Sequence, residues 1–111
     1  MQVIKKIKLE NNIKNIAQKT LEDFFSIIEE SFDNYDVDFD EEVLKFENDN
    51  FIFILNFHEP TSQIWLSSPI SGAHHFELKD KNDFKSWKST RDQTLGLYDL
   101  ILSELKKSND Q

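Results

Sequence analysis

A chain of 111 residues with 21 acidic and 13 basic side chains, a formal charge of −8, is sized for one domain. Ten phenylalanines and two tryptophans supply a core and exclude a disordered chain, while two glycines leave no room for a phosphate-binding loop. The absence of cysteine excludes disulfides, thiolate-held zinc or iron–sulfur clusters and a cysteine nucleophile, so any metal must be held by oxygen or imidazole.

In chain order, the start MQVIKKIKLE is basic. It lacks the apolar core of a signal peptide and the arginines and serines of a transit peptide, and no apolar run approaches the ~20 residues of a membrane span. The expectation is a protein that works in the cytoplasm, away from membranes. From Ile13 onward, Ile16, Ala17, Thr20, Leu21, Phe24, Phe25, Ile28 and Phe32 recur at helical spacing, with Asn11 or Asn12 as cap. At 100° per residue, Glu22, Glu29 and Asp33 fall opposite this stripe, with Asp23 and Glu30 on its flank.

After Tyr35 the period changes to two, with Val37 and Phe39 alternating with Asp36, Asp38 and Asp40. VLKF (43–46), FIFILNF (51–57), QIWLS (63–67), HHFEL (74–78) and FKSW (84–87) read as further strands between turn residues. From Gln93 to Lys106 the helical period returns through Leu97, Ile101 and Leu105, with Gly96 inside it at a cost of ~1 kcal/mol.

Helix, consecutive short strands and helix give an α+β class. The predicted architecture is a two-layer α-β sandwich, an antiparallel sheet of five or six strands with the N- and C-terminal helices on one face. Residues 1–111 form a single domain, with residues 1–12 a basic tail or an extra helical turn. The sheet's other face meets water, and alternation places Ile52, Ile54, Asn56 and His58 there, joined by Gln63, Trp65 and Ser67. A tryptophan on such a face either anchors a partner or packs under a neighbouring loop.

Charge is unevenly spread. Residues 1–19 hold five lysines and one acid, whereas residues 22–49 hold twelve acids and one lysine, Lys45. Such a block repels nucleic-acid phosphates and attracts cations or basic proteins. Its densest part, EESFDNYDVDFDEE (29–42), carries eight carboxylates and no positive charge. Asp36, Asp38, Asp40 and Glu47 match positions 1, 3, 5 and 12 of a calcium loop, but Glu41 stands where the sharp turn demands glycine and a strand follows instead of a helix. A solvated coat or a surface for hard cations and basic partners remains. The carboxylates suit Mg²⁺, Ca²⁺, Mn²⁺ or iron, bound weakly on an open ridge.

Other chemistry is poorly served. His74 and His75 are adjacent in a strand and point to opposite faces. The serines of SSP have no nucleophile elbow, and no carboxylate pair sits in a predicted pocket. No active site is legible, and the expectation is a protein that is not an enzyme.

The stretch QIWLSSPISG (63–72) resembles the signature of the frataxin family, including its bacterial CyaY branch. NYDVDF (34–39), VLKF, Pro60 and HFEL (75–78) extend the resemblance from about Ile13 to Leu105. It implies an iron-binding regulator or iron chaperone of iron–sulfur cluster assembly, with iron (Fe²⁺/Fe³⁺) as its weakly bound ligand. By position the metal ridge is Glu22, Asp23, Glu29, Glu30, Asp33, Asp36, Asp38 and Asp40. The surface for a cysteine desulfurase and an iron–sulfur scaffold protein is Asn56, Gln63 and Trp65, a face also reached by alternation. The alternative is a ferroxidase or iron store. The resemblance implies a monomer, with iron-dependent oligomers as the variant, in a bacterial cytoplasm rather than, after processing, a mitochondrial matrix. Asn34 interrupts the ridge, and Gln18 removes a histidine found at the helix start in some relatives.

Overall fold

The helical period beginning at Ile13 becomes helix α1 (Ile13–Ser31) in the computed structural model, which describes residues 12–109. The lysine-rich start, and Asn11 with it, lies outside the described residues. Asn12 is the cap: its Oδ1 accepts from the Asn15 amide at 2.9 Å, satisfying one of the four free donors of the first turn. Ile16, Ala17, Thr20, Leu21, Phe24 and Ile28 are the buried stripe. At the other end the Phe32 amide donates to the Ile28 carbonyl at 2.9 Å, and the chain turns into the sheet.

Six strands follow as a sequential antiparallel meander: β1 (Asp36–Asp40), β2 (Val43–Glu47), β3 (Ile52–His58), β4 (Gln63–Ser68), β5 (Gly72–Leu78) and β6 (Trp87–Ser89). Helix α2 (Leu97–Asn109) closes the chain, and both helices cover one face of the sheet. The fold class is therefore the expected α+β sandwich, with six strands. Alternation holds throughout the inner face, where Leu44, Phe46, Phe53, Leu55, Phe57, Ile64, Leu66 and Phe76 are buried. Phe46 and Phe53 stack at 4.8 Å between centroids, and Tyr35 packs edge-on against both.

Two elements start three or four residues later than the sequence pattern predicts. FKSW is not a strand from its start. Hydrogen bonds of Asp80 and Asp83 with Ser86 fold 80–86 into turns, so pairing begins at Trp87. Phe84, in that turn, packs edge-on to Tyr98. The last helix begins at Leu97 rather than Gln93. Asp92 Oδ1 accepts from the Thr94 amide and hydroxyl at 3.0 and 2.6 Å, a local turn that competes with helix. Gly96 is consequently not a helix-interior glycine: it bridges to Lys88 of β6, and its carbonyl accepts from Leu100 to start the helix.

The would-be calcium loop is instead the β1–β2 hairpin, with Asp40 opposite Val43 and a two-residue turn at Glu41 and Glu42. Glu41 takes φ 54°, the left-handed region that glycine enters without a side-chain penalty. Glu41→Gly is expected to stabilise the domain by about 0.5–1 kcal/mol, after glycine's larger unfolded-state entropy is deducted. Urea unfolding midpoints measure this, and a lower midpoint for the variant would contradict it.

Candidate cation ridge and docking face

Helix α1 exposes Glu22, Glu29 and Glu30, and Asp33 follows its C-terminus on the surface. Buried Tyr35, whose hydroxyl meets the Ser108 hydroxyl at 2.5 Å, fixes the crossing into β1. Because Val37 and Phe39 turn inward, Asp36, Asp38 and Asp40 stand exposed along an edge strand. Across the pair, Asp36 faces Glu47, Asp38 faces Lys45 and Asp40 faces Val43. Facing like charges cost roughly 0.2–1 kcal/mol, and Lys45 relieves part of this by an ion pair to Glu47 at 3.5 Å. Glu42 is paired with Lys14 at 3.4 Å.

Asp23 stands apart from the other ridge residues. It is half-buried and accepts from the Tyr98 hydroxyl at 2.9 Å, joining α1 to α2. Burial, with the neighbouring Asp23 carboxylate second, pushes the Tyr98 hydroxyl far above the usual phenol range. The remaining ridge acids are exposed and spread over two elements. Among the described residues, no three of His, Asp and Glu approach closely enough to hold one ion. Such an arrangement concentrates cations as a field, and its hold weakens with salt.

The open face carries a more structured feature. Asn56 of β3 pairs with Trp65 of β4, and Trp65 in turn with His75 of β5. The Trp65 indole lies between two imidazoles, His58 at 3.8 Å and 16° on one side and His75 at 4.2 Å and 9° on the other. Its Nε1–H donates to Gln63 Oε1 at 2.9 Å. All three expected docking residues therefore share one face. Trp65 packs between rings and not under a loop, while Val43, Ile52 and Ile54 extend the face as exposed apolar side chains.

The two imidazoles escaped the sequence reading as a pair. Alternation places His58 outward and separates His75 from His74, but only the register sets both against Trp65. Glu104 also escaped. It is 3% exposed on α2, and its two oxygens accept from the Ser68 hydroxyl at 2.6 Å and the Ser71 hydroxyl at 2.5 Å. Ser68 Oγ accepts from the Ile70 and Ser71 amides, both at 3.0 Å, so the SSPIS turn is pinned to the helix behind it. A legible signal existed, since Glu104 is three residues from Ile101 and shares its stripe.

A two-layer α+β domain with its polar chemistry on an acidic edge and an open sheet face is the class this structure defines. The chain belongs to the frataxin family: a model of the frataxin-like domain matches residues 7–111. Among curated proteins, it is 50% identical over 44 residues to the mitochondrial frataxin-like protein of Leishmania donovani. It is 44% identical over 55 residues to the mitochondrial frataxin homolog of Schizosaccharomyces pombe. Those matches cover 36% and 50% of this chain and 23% and 33% of the two relatives, so the chain aligns with less than two thirds of either. In three dimensions it resembles trimeric frataxin from Saccharomyces cerevisiae complexed with ferrous iron, with TM-score 0.75, 27% identity, and 86% and 87% of the two chains covered. Frataxin from Psychromonas ingrahamii gives TM-score 0.70, 26% identity, and coverage of 86% and 88%.

Proposed function

We propose that this protein is a non-enzymatic, iron-binding regulator of iron–sulfur cluster assembly. It takes Fe²⁺ and Fe³⁺ weakly on the ridge of Glu22, Glu29, Glu30, Asp33, Asp36, Asp38 and Asp40, with Asp23 as a minor contributor because Tyr98 occupies one of its oxygens. The carrying observation is a carboxylate-rich edge in a domain whose fold matches a frataxin complexed with ferrous iron. Hard carboxylate oxygens suit iron, and an open ridge loads and releases it without dismantling a closed cage. The same field steers a basic surface of a cysteine desulfurase, while Asn56, Gln63 and Trp65 contact the scaffold protein.

Replacing Glu29, Glu30, Asp33 and Asp36 with lysine tests the docking. All four are exposed, so the fold should survive with a stability change of roughly 0.5 kcal/mol or less per site. Desulfurase affinity should fall by ~100-fold or more, as like charges meet across the contact. Calorimetric titration reads this, and unchanged affinity would refute electrostatic docking. Mapping Fe²⁺ and the desulfurase separately and together on the amide spectrum then shows whether they share the ridge.

The trimeric state of the yeast frataxin supports a second reading, an oligomeric iron store or ferroxidase. Size measurements with added iron and oxygen consumption with Fe²⁺ distinguish it: the regulator stays small and gives no sustained turnover. No described helix is long and apolar enough to cross a membrane. The compartment proposed is the bacterial cytoplasm, against which the mitochondrial relatives set the matrix as the alternative.

A further inference from the structure

Along β5, strand β6 pairs only with Phe76–Leu78, which leaves the first half of β5 as a sheet edge. The loop after β6 returns along that edge, and the Thr90 amide donates to the His75 carbonyl at 2.9 Å. Between the loop and the strand lies a cavity of about 250 Å³, lined by Arg91, His75, His74, Ser71, Ser89 and Asp92 among others. It is below the ~300 Å³ at which drug-sized ligands begin to fit, so a small molecule or ion suits it.

The donors around this cavity share one sign of ligand. Arg91 is the only arginine in a chain with 21 acids, yet among the described residues its guanidinium makes no ion pair and no hydrogen bond. Arg91 is exposed, and its five N–H groups in a fixed fork are committed to no other side chain. Ser89, buried in the cavity wall, accepts from the Arg91 amide at 3.2 Å and leaves its own O–H to donate, while the His75 ring is turned to the open face by its stack on Trp65. His74 is already engaged: Ser71 donates to Glu104 and so accepts from His74 Nε2 at 2.8 Å. Asp92 is the opposing charge on the wall. Both Thr94 groups donate to it, the hydroxyl above all, holding its carboxyl below the usual range and occupying its Oδ1.

We infer that this cavity binds a small oxyanion, a phosphate or a carboxylate, through the Arg91 guanidinium with the Ser89 hydroxyl as second donor. The site lies on the far side of the sheet from the β1 ridge and does not rest on the iron reading.

Amide and indole spectra of the full chain, titrated with inorganic phosphate and separately with malonate at constant ionic strength, test this. Saturable amide shifts at Ser89, Thr90 and Arg91, with the Trp65 indole N–H unmoved, are expected with at least one anion. The anion that saturates names the source, and saturation by both defines a general oxyanion site. Arg91→Gln should weaken binding by about tenfold or more, the usual loss for one charge-assisted pair, at an unchanged thermal midpoint. The four-lysine ridge variant should bind as the parent does or better. Shifts that fail to saturate with either anion, or Arg91→Gln binding as tightly as the parent, would overturn the assignment.

Discussion

Trp87→Ala is expected to lose about 3–5 kcal/mol of folding stability, the range for emptying a fully buried indole site. Trp87 opens the three-residue edge strand β6, and three pairs with β5 hold little without it. Its Nε1–H donates to Thr20 Oγ1 at 3.0 Å, and the Thr20 hydroxyl in turn reaches the carbonyls of Ile16 and Phe84, each at 2.9 Å. One hydroxyl therefore ties α1, the 80–86 turn and β6 together, entirely out of water. Against a total stability of roughly 5–15 kcal/mol, the loss removes a large share. Each kcal/mol lowers the midpoint by ~4–8 °C in a domain of this size. Trp87→Phe separates the contributions: it keeps most of the volume, forfeits the indole hydrogen bond, and should cost only ~1–2 kcal/mol. Urea unfolding followed by circular dichroism measures both, and a loss below about 1 kcal/mol for the alanine variant would refute this account.

Glu104→Ala should cost ~2–4 kcal/mol and loosen one loop in particular. Two hydrogen bonds to a carboxylate, each worth ~1.5–3 kcal/mol, are removed, and buried Ser68 is left without its acceptor. Ser71 is exposed and recovers its bond from water, which keeps the total below the simple sum. The local signature is faster amide exchange at Ile70 and Ser71, whose N–H groups rely on a fixed Ser68 oxygen. Glu104→Gln keeps the shape and one acceptor, and should fall between the two. Exchange at these amides unchanged in the alanine variant would show that the turn stands without the helix.

The contrast between these two sites shows what was legible in the sequence. Trp87 is visible as a large apolar residue closing FKSW, the α1 stripe declares itself by regular spacing, and strands β1 to β4 follow the same rule on a period of two. Periodicity fails where side chains bond the local backbone, and both misplaced boundaries have that cause: Ser86 with Asp80, and Thr94 with Asp92. The acidic block is equally plain as composition. Its partition is not, because Tyr98, which occupies Asp23, is 75 residues away and on another helix. In the same way alternation gives the outward face, but the His58–Trp65–His75 stack exists only once strands are aligned to the residue.

That stack has a thermodynamic consequence. With both indole faces covered and its N–H committed to Gln63, Trp65 can present only its edge, and it is already immobile before anything arrives. A free side chain of this kind gives up ~0.5–1.5 kcal/mol of rotational entropy on association, and here that loss is taken during folding. Any partner meeting this face would encounter a template of fixed shape, and would be selected by its fit at the indole rim.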